Sequence, residues 1–255
     1  MKAWQLRTII VAGFLSFWQF GSGILFDEFF MSKPTAIVGE FWGLVLSGRL
    51  FYHAGITIVE ALGGFVGGAL AGMATGVVLG RNELLGKAMD PLVVVFYSLP
   101  KIALAPLFVI WFGIGIEMKI ILTGTIVFFL VFLNTYTGVR GVSRELVAIM
   151  HLMGAREGDI LKKVVLPSAV TWVFAGLKLS VPYALIGAIV GELVAANKGL
   201  GYLLSNAAGQ FNTAGVFAAI GAVVILTLLL NLAVRLFERH MMPWREDQDA
   251  REVSI

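Results

Sequence analysis

An all-α bundle embedded in a lipid bilayer is the fold class this chain predicts, and three observations predict it. Of its 255 residues 58% are hydrophobic and 14% charged, with a mean hydropathy of +0.89. A soluble domain carries roughly 25% charged residues. The apolar residues also gather into runs of about 18 or more, the length that crosses a hydrocarbon core. The lysines and arginines, finally, fall unequally on the segments between the runs. Together these describe one polytopic domain over 1–255, with about six transmembrane helices and a core at about 56–240.

The spans are expected at roughly Thr8–Phe26, Ile56–Leu79, Pro91–Gly115, Ile120–Tyr136, Ala169–Ala196 and Ala214–Phe237. The first follows Lys2 and Arg7 much as a secretory leader would. However, Phe26-Asp27-Glu28-Phe29 offers no small-residue cleavage site, so this span is expected to be retained. In the second, Gly64, Gly68, Gly72, Gly76 and Gly80 recur every four residues. Such a stripe lets a neighbouring helix backbone lie close, either as a fixed packing surface or as one along which helices slide.

The third span contains Pro91, Pro100 and Pro106, each of which removes a backbone donor and bends or breaks a helix. Lys101 follows Pro100 directly. An ammonium at that depth is costly unless it faces protein or water. It pairs with a carboxylate such as Glu60 or Glu192, snorkels outward, or lines a path for an anionic solute. The fourth span has no ionised side chain. In the fifth, Lys178 and Glu192 are fourteen residues apart, about 21 Å along a helix, so they cannot pair within it. Each is read as a cap or as a bond to a neighbouring helix, with the solute path as the alternative.

Thirteen of the 19 lysines and arginines fall on the side that holds the N-terminus, and six on the other side or within spans. That bias places both termini, the tail 240–255 and the segment at about 144–167 in the cytoplasm. The segment Glu145–Pro167 is the most informative part of the chain. Arg144, Glu145, Arg156, Glu157, Asp159, Lys162 and Lys163 belong in water, while Ile160, Leu161, Val164 and Val165 recur at helical spacing. It is either a surface for a soluble partner or an inter-helix loop whose apolar face lies on the bilayer.

Other classes find little support. There is no cysteine, and His53, His151 and His240 are far apart without metal-ligand spacing, so no metal site is expected. The +3 charge follows from loop positions and carries no implication of nucleic-acid binding. Glu60, Glu192 and the histidines do not cluster as an acid, base and nucleophile would, so no catalytic residue is expected.

The stretch from Gly154 to Leu166-Pro167 resembles the cytoplasmic-loop motif of ABC importer permeases. Gly154 follows Ala148-Ile149-Met150 after three residues, and Val164 and Leu166-Pro167 follow at the motif spacing. The motif glutamate falls on Ala148, with Glu145 one helical turn earlier. Leu104-Ala105-Pro106-Leu107 through Trp111-Phe112-Gly113, Gly138-Val139-Arg140, and Gly191-Glu192 through Gly199-Leu200-Gly201-Tyr202-Leu203 are similar to the nitrate/sulfonate/taurine branch. The resemblance implies a type I ABC importer fold and a homodimer in the bacterial inner membrane. Each subunit would couple to one ABC ATPase through Glu145, Ala148, Gly154, Ala155, Leu166 and Pro167. An extracytoplasmic binding protein would deliver a small solute, and ATP and Mg would sit on the ATPase, with no cofactor on this chain. This agrees with the lack of a phosphate-cradling Gly-x-x-x-x-Gly-Lys-Ser/Thr loop. The competing reading is a stand-alone ion-coupled secondary transporter, which would need an inverted repeat and a dense coupling-ion site.

Overall fold

A computed structural model describes residues 3–241, with side chains through Phe237. Of the tail expected at 240–255, the part from 242 onward lies outside the described residues. Helices follow one another as α1 (Ala3–Gly21), α2 (Pro34–Leu46), α3 (Arg49–Arg81), α4 (Glu83–Ser98), α5 (Ala105–Phe112) and α6 (Ile116–Arg140). Then come α7 (Arg144–Leu152), α8 (Glu157–Ile160), α9 (Leu166–Val194), α10 (Leu200–Gly209) and α11 (Thr213–Met241). Among the described residues there is no strand, as the composition predicted.

Four helical runs are long and apolar enough to cross a membrane: Arg49–Arg81, Ile116–Arg140, Glu157–Val194 and Thr213–Phe237. A fifth crossing requires counting the bent pair Glu83–Ser98 and Lys101–Phe112 as one span. The first expected span falls on α1, which is not among these crossings: it ends at Gly21 and includes Gln5, Arg7 and Gln19, which dilute its apolar length. Beyond it, the backbone N–H groups of Ile24, Leu25 and Phe26 all turn back to the Gly21 carbonyl. The run Glu157–Val194 is 38 residues long, about 57 Å, nearly twice a hydrocarbon core. Its first two turns carry Glu157, Asp159, Lys162 and Lys163 and therefore project beyond the apolar layer.

The third expected span differs in where it breaks. Pro91 stands inside α4 without ending it, and Pro106 occupies the first turn of α5, where a helix needs no donor. Only the Leu99-Pro100 step interrupts the run. There the two pieces diverge by 76° and a single 3-10 turn, Lys101–Leu104, leads into α5. Two helices also appear where only loops were expected. α2 starts with Pro34 at its N-terminus and is 13 residues long, about 20 Å and too short to span. α10 follows the Gly199 turn.

The chain forms two compact units. In the first, built from the residues up to Gly67 with Leu99–Ile126 and Tyr183–Leu226, Ala105, Phe108, Met118 and Leu122 form one buried apolar cluster. A Cβ on Gly64 would stand 2.4 Å from Thr123 Cβ, and one on Gly187 would stand 3.0 Å from Thr123 Cα. α6 therefore lies in backbone contact with both α3 and α9 here. In the second unit, Gly68–Ser98 and Val127–Pro182 with the chain from Thr227, Val139, Ile160, Val165 and Ala169 form a buried apolar cluster. A Cβ on Gly72 would stand 2.7 Å from the Phe128 carbonyl, on Gly76 2.7 Å from Thr135 Cβ, and on Gly80 2.8 Å from Val139 Cβ. Gly68 is buried in the same helix. The stripe of glycines thus sits against α6 in each unit, and any larger side chain there would push the two helices apart.

Candidate coupling and transport sites

The segment expected to couple, Glu145–Pro167, belongs to the second unit. Ser143 caps α7, its hydroxyl accepting the Leu146 N–H at 3.3 Å. At the other end Gly154 has φ +77°, and its N–H bonds the His151 carbonyl while the Ala155 N–H bonds that of Met150. These two bonds form a Schellman closure, in which the left-handed residue is best a glycine. Met150 and Ala155 both pack on the apolar core of this unit, as such a closure favours. Leu146, Ile149, Leu152 and Met153 remain exposed, with Leu152 at 88%. α7 therefore rests Val147 and Met150, both only partly buried, on that core and presents an exposed apolar face on the other side.

Glu157, just past the turn, is held from two directions. Arg81 at the end of α3 donates to its Oε2 at 2.7 Å, and His151 Nε2 lies 2.9 Å from its Oε1. His151 and then Arg81 hold the Glu157 carboxyl below the usual carboxylate range. A carboxylate depressed in the fold contributes stability above its ordinary titration and loses it as pH falls, so protonation of Glu157 in acid loosens this clamp. Downstream, a π turn at Leu161–Val165 leads into α9, with Leu166-Pro167 as its first two residues. Glu145 and Ala148 lie exposed on α7.

Lys101 belongs to the first unit and opens the 3-10 turn after the Pro100 break, half-buried between exposed Pro100 and Ile102. The buried glutamates are held by other residues. Glu60 takes the Lys119 ammonium at 2.9 Å, both side chains being almost wholly buried. Glu192 Oε1 lies 2.6 Å from Thr57 Oγ1, and its Oε2 accepts the Gly201 N–H at 2.6 Å. Thr57 also accepts the Leu200 N–H at 2.9 Å, and His53 Nδ1 accepts that of Gly199 at 3.0 Å. Tyr202 stacks on the His53 ring.

Glycines make this cluster possible. Gly199 has φ +106°, and a Cβ there would stand 1.9 Å from Glu192 Oε1; one on Gly191 would stand 2.9 Å from Lys119 Cγ. Gly199-Leu200-Gly201 is thus a strap drawn over the Glu192 carboxyl. Lys178 lies half-buried on α9 in the second unit. Sequence reasoning missed Lys119, Thr57 and His53. The one local signal was the helical spacing of His53, Thr57 and Glu60, which puts three polar residues on one face of α3.

Residues 64–243 match the family described as binding-protein-dependent transport system inner membrane component. The chain is 33% identical over 231 residues to the riboflavin transport system permease protein RibX of Chloroflexus aurantiacus, covering 90% of this chain and 86% of that one. It is 32% identical over 247 residues to the putative aliphatic sulfonates transport permease protein SsuC of Bacillus subtilis, covering 96% and 90%. In fold it is similar to the MetNI methionine ABC transporter in an inward-facing conformation. That match has a TM-score of 0.63 and 21% identity, and covers 72% of this chain and 92% of that one.

Proposed function

Because the chain belongs to the binding-protein-dependent transport system inner membrane components, and so is a multi-pass permease subunit of an ABC importer, we propose that it carries a small anionic solute past Lys101 and is driven through α7. Two copies form the pathway. Each docks one cytoplasmic ATPase, which binds ATP and Mg, and an extracytoplasmic binding protein delivers the solute. The observation that carries the coupling role is the exposed apolar face of α7, closed by Gly154 and braced by Glu157 against α3. An amphipathic helix held at both ends transmits a push from a soluble partner instead of absorbing it.

This reading places both termini and α7 in the cytoplasm. The chain has no native cysteine, so Leu152→Cys gives a clean test on a residue that is 88% exposed. A membrane-impermeant thiol reagent should label it only after the cells are opened. Labelling in intact cells would invert the topology.

The solute class rests on Lys101, since a cation at a helix break inside a span is suited to an anion. The named substrates of the relatives include an aliphatic sulfonate, which has that charge, and riboflavin. Co-reconstitution with ATPase and binding protein in proteoliposomes tests this with alkanesulfonate uptake. Lys101→Met keeps the side-chain length, and uptake should fall about tenfold, the equivalent of roughly 1.4 kcal/mol. Lys101→Arg should retain part of it. Wild-type uptake by a well-folded Lys101→Met would remove this residue from the path.

A further inference from the structure

The Glu60–Glu192 cluster holds more negative than positive charge. Both glutamates are 1% exposed, and Lys119, the partner of Glu60, packs on Gly191, the neighbour of Glu192 in sequence. Lys119 supplies one positive charge, 2.9 Å from Glu60 Oε1. His53 supplies none, because its Nδ1 accepts the Gly199 N–H and an imidazolium has no free nitrogen with which to accept. The remaining charged or titratable groups on these elements are peripheral. Arg49 acts on His53 from an exposed position one turn earlier on α3, Lys198 is exposed on the loop before the strap, and Tyr202 of α10 lies on the His53 ring. With both carboxyls ionised, an uncompensated negative charge would remain buried, which a low-dielectric interior opposes strongly.

The hydrogen atoms are also one short. Thr57 Oγ1 accepts from Leu200 N–H and lies 3.2 Å from the His53 carbonyl and 2.6 Å from Glu192 Oε1. Its single proton cannot serve both of those acceptors. Glu60 Oε2, meanwhile, is buried with no hydrogen-bond partner. One added proton resolves the count at Thr57. We propose that Glu60 and Glu192 form a proton-binding site, with Glu192 carrying the proton and donating it from Oε1 to Thr57 while Glu60 stays ionised against Lys119. Thr57 then donates to the His53 carbonyl, and Glu192 Oε2, as the carbonyl oxygen of the acid, accepts from Gly201. Closure of the Gly199–Gly201 strap over Glu192 therefore retains one proton, and lifting the strap into water releases it. This holds whatever solute the chain carries.

Infrared spectroscopy of the full-length chain in lipid nanodiscs reads the site directly, through the carbonyl stretch of a protonated carboxylic acid. At neutral pH the wild type should show one such band, shifted by deuterium exchange. Glu192→Gln should abolish it. Glu60→Gln should abolish it too, because Lys119 then balances Glu192 alone. Lys119→Met should double it, both carboxyls being left without a cation. No band in the wild type overturns the proposal, as does a band that survives both glutamine variants. So does a wild type without the band whose thermal stability rises with sodium, since an alkali ion would then supply the missing charge. If a variant does not fold, the presence or absence of the wild-type band still decides.

Discussion

Replacing Lys119 by methionine is expected to cost about 3–5 kcal/mol of stability, the usual loss when one member of a buried ion pair is removed. Glu60 keeps its burial but loses the ammonium 2.9 Å away. The protein then either holds an unpaired carboxylate or protonates it. Protonation at pH 7 from an ordinary glutamate value near 4.3 costs about 1.4 kcal/mol per unit, about 3.7 kcal/mol in all. The loss therefore falls in the lower part of that range, and it should shrink as pH falls because the added proton becomes cheaper. Lys119→Met with Glu60→Gln should recover most of it, since neither partner is then left charged. Thermal unfolding in nanodiscs at two pH values measures all of this. Lys87→Met is the control: its pairing with Glu83 is on the exposed surface and should contribute nothing measurable. Full stability of Lys119→Met at neutral pH would show that the ion pair does not hold α3 to α6.

Gly154→Val is the variant expected to uncouple the subunit most completely. Gly154 sits at φ +77° with open space where a Cβ would lie, so the penalty is one of backbone conformation and not of crowding. A left-handed conformation costs an ordinary L-residue roughly 1–2 kcal/mol, and a β-branched one more. The cheaper outcome is for the turn to open, losing the bonds from Gly154 to His151 and from Ala155 to Met150. α7 then loses its fixed direction while the spans stay intact. Membrane insertion and expression should be normal, and solute-stimulated ATP hydrolysis by the reconstituted complex should fall to background. Gly154→Asn should keep much of the coupling because asparagine tolerates this conformation. Equal coupling by the valine and asparagine variants would exclude the turn as the transmitting element.

Particular residues show how far the chain alone could be read. The four-residue glycine spacing pointed to a close helix contact, and the contact lies against α6 because only there do Thr123, Val131 and Thr135 meet α3. Gly154 was legible as a turn because a lone glycine amid charged and helical residues has few other uses. The proline positions misled in part. Pro91 and Pro106 look equivalent to Pro100 in sequence, but a proline's effect depends on whether a donor was needed at its place in the helix. α2 and α10 are short and lack an uninterrupted apolar run, so they looked like loop.

By itself, the sequence determined that this chain is a helical membrane protein with a charged segment, Glu145–Pro167, set between long apolar runs. Long apolar runs and stranded charges admit few other solutions, because the bilayer penalises every exposed polar group. Only the tertiary structure decided which charge meets which. Lys119 and Glu60 are 59 residues apart, and Thr57 and Glu192 are 135 apart. Whether such residues meet depends on how each helix is rotated about its axis and where it crosses its neighbour. Local periodicity fixes neither, since three helices and a glycine strap must all be in place before Glu60, Lys119 and Glu192 share one interior.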